Sequence, residues 1–254
     1  MMSLKKKLHA GKLTVGSWIT LAHPAIAEIM AKAGFDWLTV DLEHSVITIR
    51  EAEELIRVID LCNVTPLVRL SANDPVQIKR VMDAGARGII VPMVNSAEDA
   101  RKAVEALHYP PEGRRGVGLA RAQGYGSSFE KYKEWLDQES IVIVQIEHIK
   151  AVENLDAIMS VEGIDGFIVG PYDLSGSLGI PGQFDNALMI DAMSSIKMFM
   201  KSSSKISGYH VVEPDVDQLK QRLGEGYQFL AYSVDIRMLD TCCRSAMKKI
   251  EIKV

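Results

Sequence analysis

Cysteine is nearly absent: 254 residues contain three, Cys62, Cys242 and Cys243. An odd count with two adjacent members builds no disulfide framework and points to a reducing cytoplasm. A basic excess is absent too. Lys and Arg number 29 against 33 Asp and Glu, a net charge of −4. A phosphate backbone would find nothing to neutralise it, so nucleic acid is not an expected partner. No apolar run approaches the ~20 residues that a membrane helix needs. The basic start MMSLKKKLHAGKL lacks the apolar stretch of a signal peptide. Neither export nor membrane insertion is expected. Missing motifs exclude more. No G-x-S-x-G elbow marks a common serine hydrolase. No H-E-x-x-H or paired C-x-x-C offers zinc a site. Neither G-x-G-x-x-G nor G-x-x-x-x-G-K-[ST] occurs, which argues against a doubly wound nucleotide-binding sheet.

What is present is an ordinary globular composition, 47% hydrophobic and 24% charged, carrying one repeating pattern. Short β-branched runs predict strands at Thr14–Ile19, Trp37–Asp41, Thr65–Leu70, Gly88–Val91, Ile141–Ile146, Gly166–Val169, Lys205–Tyr209 and Gln228–Ser233. Runs such as GIIV, IVIVQI and GFIV are almost wholly apolar, as strands buried on both faces are. Helical periods lie between them, at Pro24–Ala33, Thr48–Leu61, Asp74–Ala84, Ala97–Leu107, Ile149–Met159, Asn186–Ser202, Asp215–Leu223 and Ile236–Lys249. Thr48 with Glu51 has capping-box spacing, and Pro75 and Gly85 bracket the third helix. Strict alternation over ~250 residues predicts a (β/α)8 barrel, one domain spanning 1–254. The doubly wound open sheet is the runner-up. The connection His108–Ser128 is long enough to suggest a functional loop.

A barrel keeps its chemistry at the C-terminal strand ends. There the chain places Trp18, then Asp41, Glu43 and His44, then Arg69, then Gln145 and Glu147, then Asp173, with His210 after the seventh strand. Glu147 and Asp173 follow neighbouring apolar strands. Two facing carboxylates repel unless a cation separates them, and two oxygen ligands suit Mg²⁺ or Mn²⁺. Two helix N-caps without metal are the alternative. Arg69 reads either as a clamp for a substrate carboxylate or as a structural ion pair to Asp41 or Glu43. His44 is the best general base, against a structural role. His148 reads as packing or support, and His9 as part of a solvated tail. No lysine ends a strand at this face, so Schiff-base chemistry is disfavoured. The loops HVVEPD and SVDIR are not phosphate cradles, so a phosphorylated substrate is not expected.

The succession D-L-E-H (41–44), V-R (68–69), V-P-M-V (91–94), Y-P-P-E-G-R-R-G-V-G (109–118), Q-I-E (145–147) and V-E-G-I-D-G-F-I-V-G-P-Y-D-L-S-G-S-L-G (161–179) resembles the HpcH/HpaI family of class II pyruvate aldolases. The resemblance runs from Gly16 to Asp235. It implies a metal-dependent barrel whose C-terminal helix is exchanged between subunits, with dimers assembled into hexamers. It implies reversible retro-aldol cleavage of a 4-hydroxy-2-oxo acid, such as 4-hydroxy-2-oxoheptanedioate or a 2-keto-3-deoxy sugar acid, to pyruvate and an aldehyde. Glu147 and Asp173 would bind Mg²⁺, Mn²⁺ or Co²⁺, and Arg69 would hold pyruvate and its enolate. His44 would shuttle the proton through a water on the metal, paired with an aspartate at the position of Asp83. On residue type alone Asp83 reads equally as a solvated helix acid. Gln145 and the main-chain N–H groups of Tyr172 and Asp173 would touch the oxo acid, and Trp18 would line the pocket. The chain departs from many members after Arg69, where Leu70 and Ser71 stand in place of a proline. It also departs at Tyr172, where several have a small residue, and over Gly118–Gly126. These departures bear on the aldehyde. A related lyase of acyl-CoA esters and a non-catalytic 2-oxo-acid-binding barrel are the rival readings.

Overall fold

The apolar runs form eight parallel strands, β1 (Thr14–Ile19), β2 (Trp37–Asp41), β3 (Thr65–Arg69), β4 (Gly88–Val91), β5 (Ile141–Ile146), β6 (Gly166–Val169), β7 (Ile206–Val211) and β8 (Phe229–Val234). Each pairs with the next, and β8 pairs back onto β1, closing a barrel. This is a computed structural model, and it describes residues 2–250. The helices are α1 (Leu4–His9), α2 (Pro24–Lys32), α3 (Ile49–Leu61), α4 (Pro75–Ala84), α5 (Ala97–Leu107), α6 (Phe129–Glu139), α7 (Ile149–Glu153), α8 (Leu155–Met159), α9 (Pro171–Ser177), α10 (Ala187–Ser202), α11 (Val216–Gly224) and α12 (Asp235–Ile250). No described helix is long and apolar enough to cross a membrane.

The strands bury both faces. Inward side chains such as Trp18, Trp37, Leu67, Ile90, Ile143, Ile168 and Phe229 fill the barrel, and Trp37 stacks on Phe229 with ring centres 4.1 Å apart. Outward ones such as Val40, Val68, Ile89, Val144 and Val169 pack under the helices. The helix signals work as the residues predict. Thr48 and Glu51 cap α3 reciprocally. Asp74 caps α4, which ends on Gly85 at φ 105°, a left-handed turn that suits glycine.

Four elements lie outside the predicted pattern. The first is α1, so His9 is not in a solvated tail: the helix inserts Leu4 and Leu8 into the barrel floor, and His9 Nε2 stands 3.3 Å from Asp165 Oδ1. The second and third are a 3-10 segment, Arg121–Gly126, and α6, both of which organise the stretch from His108 towards β5. That connection runs from the end of α5 to the start of β5. It therefore lies at the N-terminal strand ends and does not reach its own chain's site. The fourth is α9. The single helix predicted over Ile149–Met159 is two, because Asn154 breaks it and donates its side-chain amide to the Asn95 carbonyl, 2.9 Å away. The last strand residues also shift. β7 runs on through His210, which is a strand residue and not a loop one.

α12 is unlike the other long helices. Asp235 anchors its start by accepting from the Thr20 and Leu21 main-chain N–H groups and the Thr20 hydroxyl. Beyond Asp235 none of its residues is buried, and Ile236, Leu239, Met247 and Ile250 stay exposed.

Candidate active site

A cleft of about 290 Å³ opens at the C-terminal strand ends, lined among others by Trp18, His44, Arg69, Gln145, Tyr172, Asp173 and His210. Seven residues named from the sequence therefore meet in one cavity, while Glu147, 2% exposed, is not part of its lining. Strand register explains the first pairing. Asp41 and Arg69 are direct neighbours across β2 and β3. Arg69 donates Nε–H to Asp41 Oδ1 at 2.9 Å and Nη2–H to Oδ2 at 2.6 Å. Its Nη1 lies 3.3 Å from Glu43 Oε2, and its guanidinium lies 4.4 Å from the centre of the Trp18 ring. The structural ion pair is thus real. It uses two of the five N–H donors an arginine owns, and Arg69, 7% exposed, still faces the cavity with others. The clamp and the ion pair are compatible. Burial alone would raise the Asp41 carboxyl; Arg69 and the main-chain N–H groups of Glu43 and His44 bring it below its ordinary value.

Glu147 is buried beside this arginine. Its Oε1 accepts the Met93 main-chain N–H at 2.7 Å, and its Oε2 accepts the Gln145 side-chain amide. Gly170 makes the space: a Cβ there would come within 3.1–3.2 Å of the Gln145 amide nitrogen and the Glu147 carboxylate. Burial pushes the Glu147 carboxyl up to about 7, with the charges of Glu43 and Asp173 adding to it. Burial does the same to Glu43, also about 7, where Asp41 and Asp173 outweigh part of the help from Arg69. Glu43 Oε2 and Gln145 Oε1 are buried with no hydrogen-bond partner. Glu43 Oε2 has the Arg69 guanidinium at 3.3 Å and both Glu147 oxygens accept hydrogen bonds, but the charges of Glu43, Glu147 and Asp173 repel one another, and a cation would relieve that repulsion. No three His, Cys, Asp or Glu side chains form a metal cage among the described residues. Carboxylate oxygens such as those of Glu147 and Asp173 suit a hard divalent ion, which can take one or two of them and fill its other positions with water and substrate. Such a set does not suit zinc.

His44 has a side chain 59% exposed, with Nε2 3.9 Å from Glu43 Oε2. Asp83 does not meet it within the chain. Asp83 pairs with Arg115 at 2.5 Å and accepts from the Gln123 amide at 3.2 Å, near the C-terminal end of α4. His148 is the N-cap of α7 and accepts the Lys150 N–H through Nδ1. His210, given no role from the sequence, packs on Trp18 at 5.2 Å. Its Nε2–H donates to the Ser233 carbonyl at 3.2 Å. Burial, and then the Arg69 charge, push its pKa down to about 3, so it is a neutral wall and not a base. Glu43 and Gly170 also escaped a role. Glu43 was visible within D-L-E-H and as an ion-pair candidate for Arg69, and Gly170 beside Pro171, but their approach to Glu147 was not.

The profile of the HpcH/HpaI aldolase/citrate lyase family matches residues 14–241. The chain belongs to this family. It is 38% identical to a hydroxypyruvate/pyruvate aldolase from Roseobacter denitrificans over 93% of this chain and 92% of that one. It is equally similar, 38%, to a 4-hydroxy-2-oxo-heptane-1,7-dioate aldolase from Escherichia coli, over 93% and 90%. The crystal structure of an HpcH/HpaI aldolase from Desulfitobacterium hafniense superposes with a TM-score of 0.90 at 34% identity, covering 100% of this chain and 98% of that one.

Proposed function

We propose that the chain is a pyruvate-dependent aldolase that reversibly cleaves 4-hydroxy-2-oxo acids to pyruvate and an aldehyde, with a divalent metal, Mg²⁺ or Mn²⁺, held by Glu147 and Asp173. The observation that carries this reading is the cleft at the C-terminal strand ends that gathers Arg69, clamped by Asp41, with Trp18, His44, Gln145 and Asp173, close to the buried carboxylate of Glu147. The metal, when bound, supplies Lewis-acid stabilisation to the oxygens of the 2-oxo acid.

The chain's own groups do the rest. Arg69 offers its free N–H groups to the substrate carboxylate and to the oxygen that gains charge, and Asp41 and the Trp18 ring hold it in plane. Tyr172 and Asp173 lie in the first turn of α9, where main-chain N–H groups have no intrahelical partner and can meet the oxo acid. Gln145 fixes the Glu147 carboxylate and aims its own carbonyl inward. His44 takes the proton of the 4-hydroxyl. The C3–C4 bonding pair then becomes the C2–C3 double bond of the enolate, C4 leaves as the aldehyde carbonyl, and a proton returned to C3 completes pyruvate.

The uncovered apolar face of α12 supports its exchange with a second copy, in a hexamer built from dimers. In such an assembly a neighbour's Asp83 would pair with His44. Three free cysteines fit a cytoplasmic setting. Release of pyruvate from a panel of 4-hydroxy-2-oxo acids, with and without Mg²⁺, tests the activity. Release from none of them would overturn it.

A further inference from the structure

Arg69 and Gln145 stand on the strand ends of the cleft. Its lining also carries apolar groups, Pro171, Tyr172 and Val212, of which Tyr172 is exposed at the rim. Tyr172 is braced by Phe184, edge to face, with ring centres 5.0 Å apart and planes at 90°. Both rings stay half in water, Tyr172 at 48% and Phe184 at 41% exposure. Apolar surface left wet at the rim of a cleft gains most when a ligand covers it. Among the residues lining the cavity, Arg69 is the one permanent cation, and Asp41 and Glu43 already hold it. His210 stays neutral. Within this lining a second carboxylate on the substrate would meet no permanent cation besides Arg69, and it would share the cavity with the Asp173 side chain.

Given the aldolase reading, on which this rests, the pyruvate half must sit at the floor, against Arg69 and Gln145. The rest of the substrate then points to the mouth. We infer that the aldehyde partner is uncharged and carries an aromatic or branched apolar group, seated against Val212 and against Tyr172 with the Phe184 that braces it. Tyr172 and Phe184 are then the residues that set specificity, through contact area and not through hydrogen bonds. The substrate class is a 4-hydroxy-2-oxo acid with one carboxylate.

The test runs in the condensation direction, with pyruvate, Mg²⁺ and three probes: 3-methylbutanal or benzaldehyde, glycolaldehyde, and succinic semialdehyde. The wild type should favour the apolar aldehydes over succinic semialdehyde by about 10-fold or more in kcat/KM, the discrimination that a few buried carbons supply. Phe184→Ser and Tyr172→Ser should each bring that ratio down by about the same factor. Equal or better use of succinic semialdehyde, or an unchanged ratio in both variants, would overturn the inference. So would variants that alter only the assembly mass, since the rim would then be a subunit contact. Exchange of the pyruvate methyl protons with solvent needs no aldehyde and is read in parallel. Its absence in the wild type would count against the aldolase reading; its presence without an apolar preference would count against this inference alone.

Discussion

Asp41 and Arg69 face each other in register, and the ion pair between them sets the plane in which Arg69 presents its remaining N–H groups. A lysine keeps the charge and loses the fork. Arg69→Lys should therefore lower kcat/KM by at least ~10², the usual loss for one misplaced oxyanion donor. Unchanged steady-state kinetics would make Arg69 purely structural. Arg69→Ala is the poorer test, because it strands Asp41 as a buried unpaired charge at a cost of about 3–5 kcal/mol. The carboxylates give a second prediction. The folded pKa values of Glu43 and Glu147, about 7, lie above their ordinary 4.5. Between those values the metal-free fold holds protons that the unfolded chain has released, so its stability falls as pH rises from 4.5 to 7. A divalent cation takes the place of those protons, so its stabilisation should grow over the same window. The rise in Tm on adding Mg²⁺ should be larger at about pH 8 than at about pH 5.5, a window fixed by those two shifted carboxyls. An equal or reversed effect would contradict the assignment.

At the scale of elements, α1 closes the barrel floor. Leu8→Ala should cost about 2–5 kcal/mol, as buried leucines do, and urea unfolding measures it. A loss below ~0.5 kcal/mol, the scale of an exposed site, would mean that α1 is only draped there. The same helix marks the limit of what the residues reveal unaided. The eight strands are legible because each is an apolar run, and α3 and α4 because Thr48, Glu51, Asp74 and Gly85 punctuate them. In α1 only Leu4 and Leu8 carry the signal among lysines, too little for a periodicity. Asn154 looks innocuous inside a helical period until the loop after the neighbouring strand β4 brings the Asn95 carbonyl to its side chain. In the site, Arg69, Glu147 and Asp173 stand out because a charge ending an apolar strand is conspicuous. Glu43, Gly170 and His210 depend on which strands meet, and only closure of the barrel decides that.

For the whole molecule, the open question is how many chains build one site. His44 is exposed, with Glu43 3.9 Å from its Nε2, while Asp83 is engaged by Arg115 at the far end of α4. His44→Ala alone should slow cleavage by about 10²–10⁴, the reach of a general base. If the dyad crosses an interface, mixing His44→Ala with Asp83→Ala chains should restore activity in hybrid oligomers. No recovery, with exchange verified by mass spectrometry, would confine Asp83 to its ion pair with Arg115. Whatever the assembly, the proposed chemistry forms an enolate between Arg69 and a cation held by Glu147 and Asp173. Incorporation of deuterium from solvent into the methyl group of pyruvate, followed by NMR, reads that step alone. Exchange should proceed with Mg²⁺, stop in excess EDTA, resume when Mg²⁺ is restored, and be lost in Glu147→Gln. Undiminished exchange in excess EDTA would contradict it.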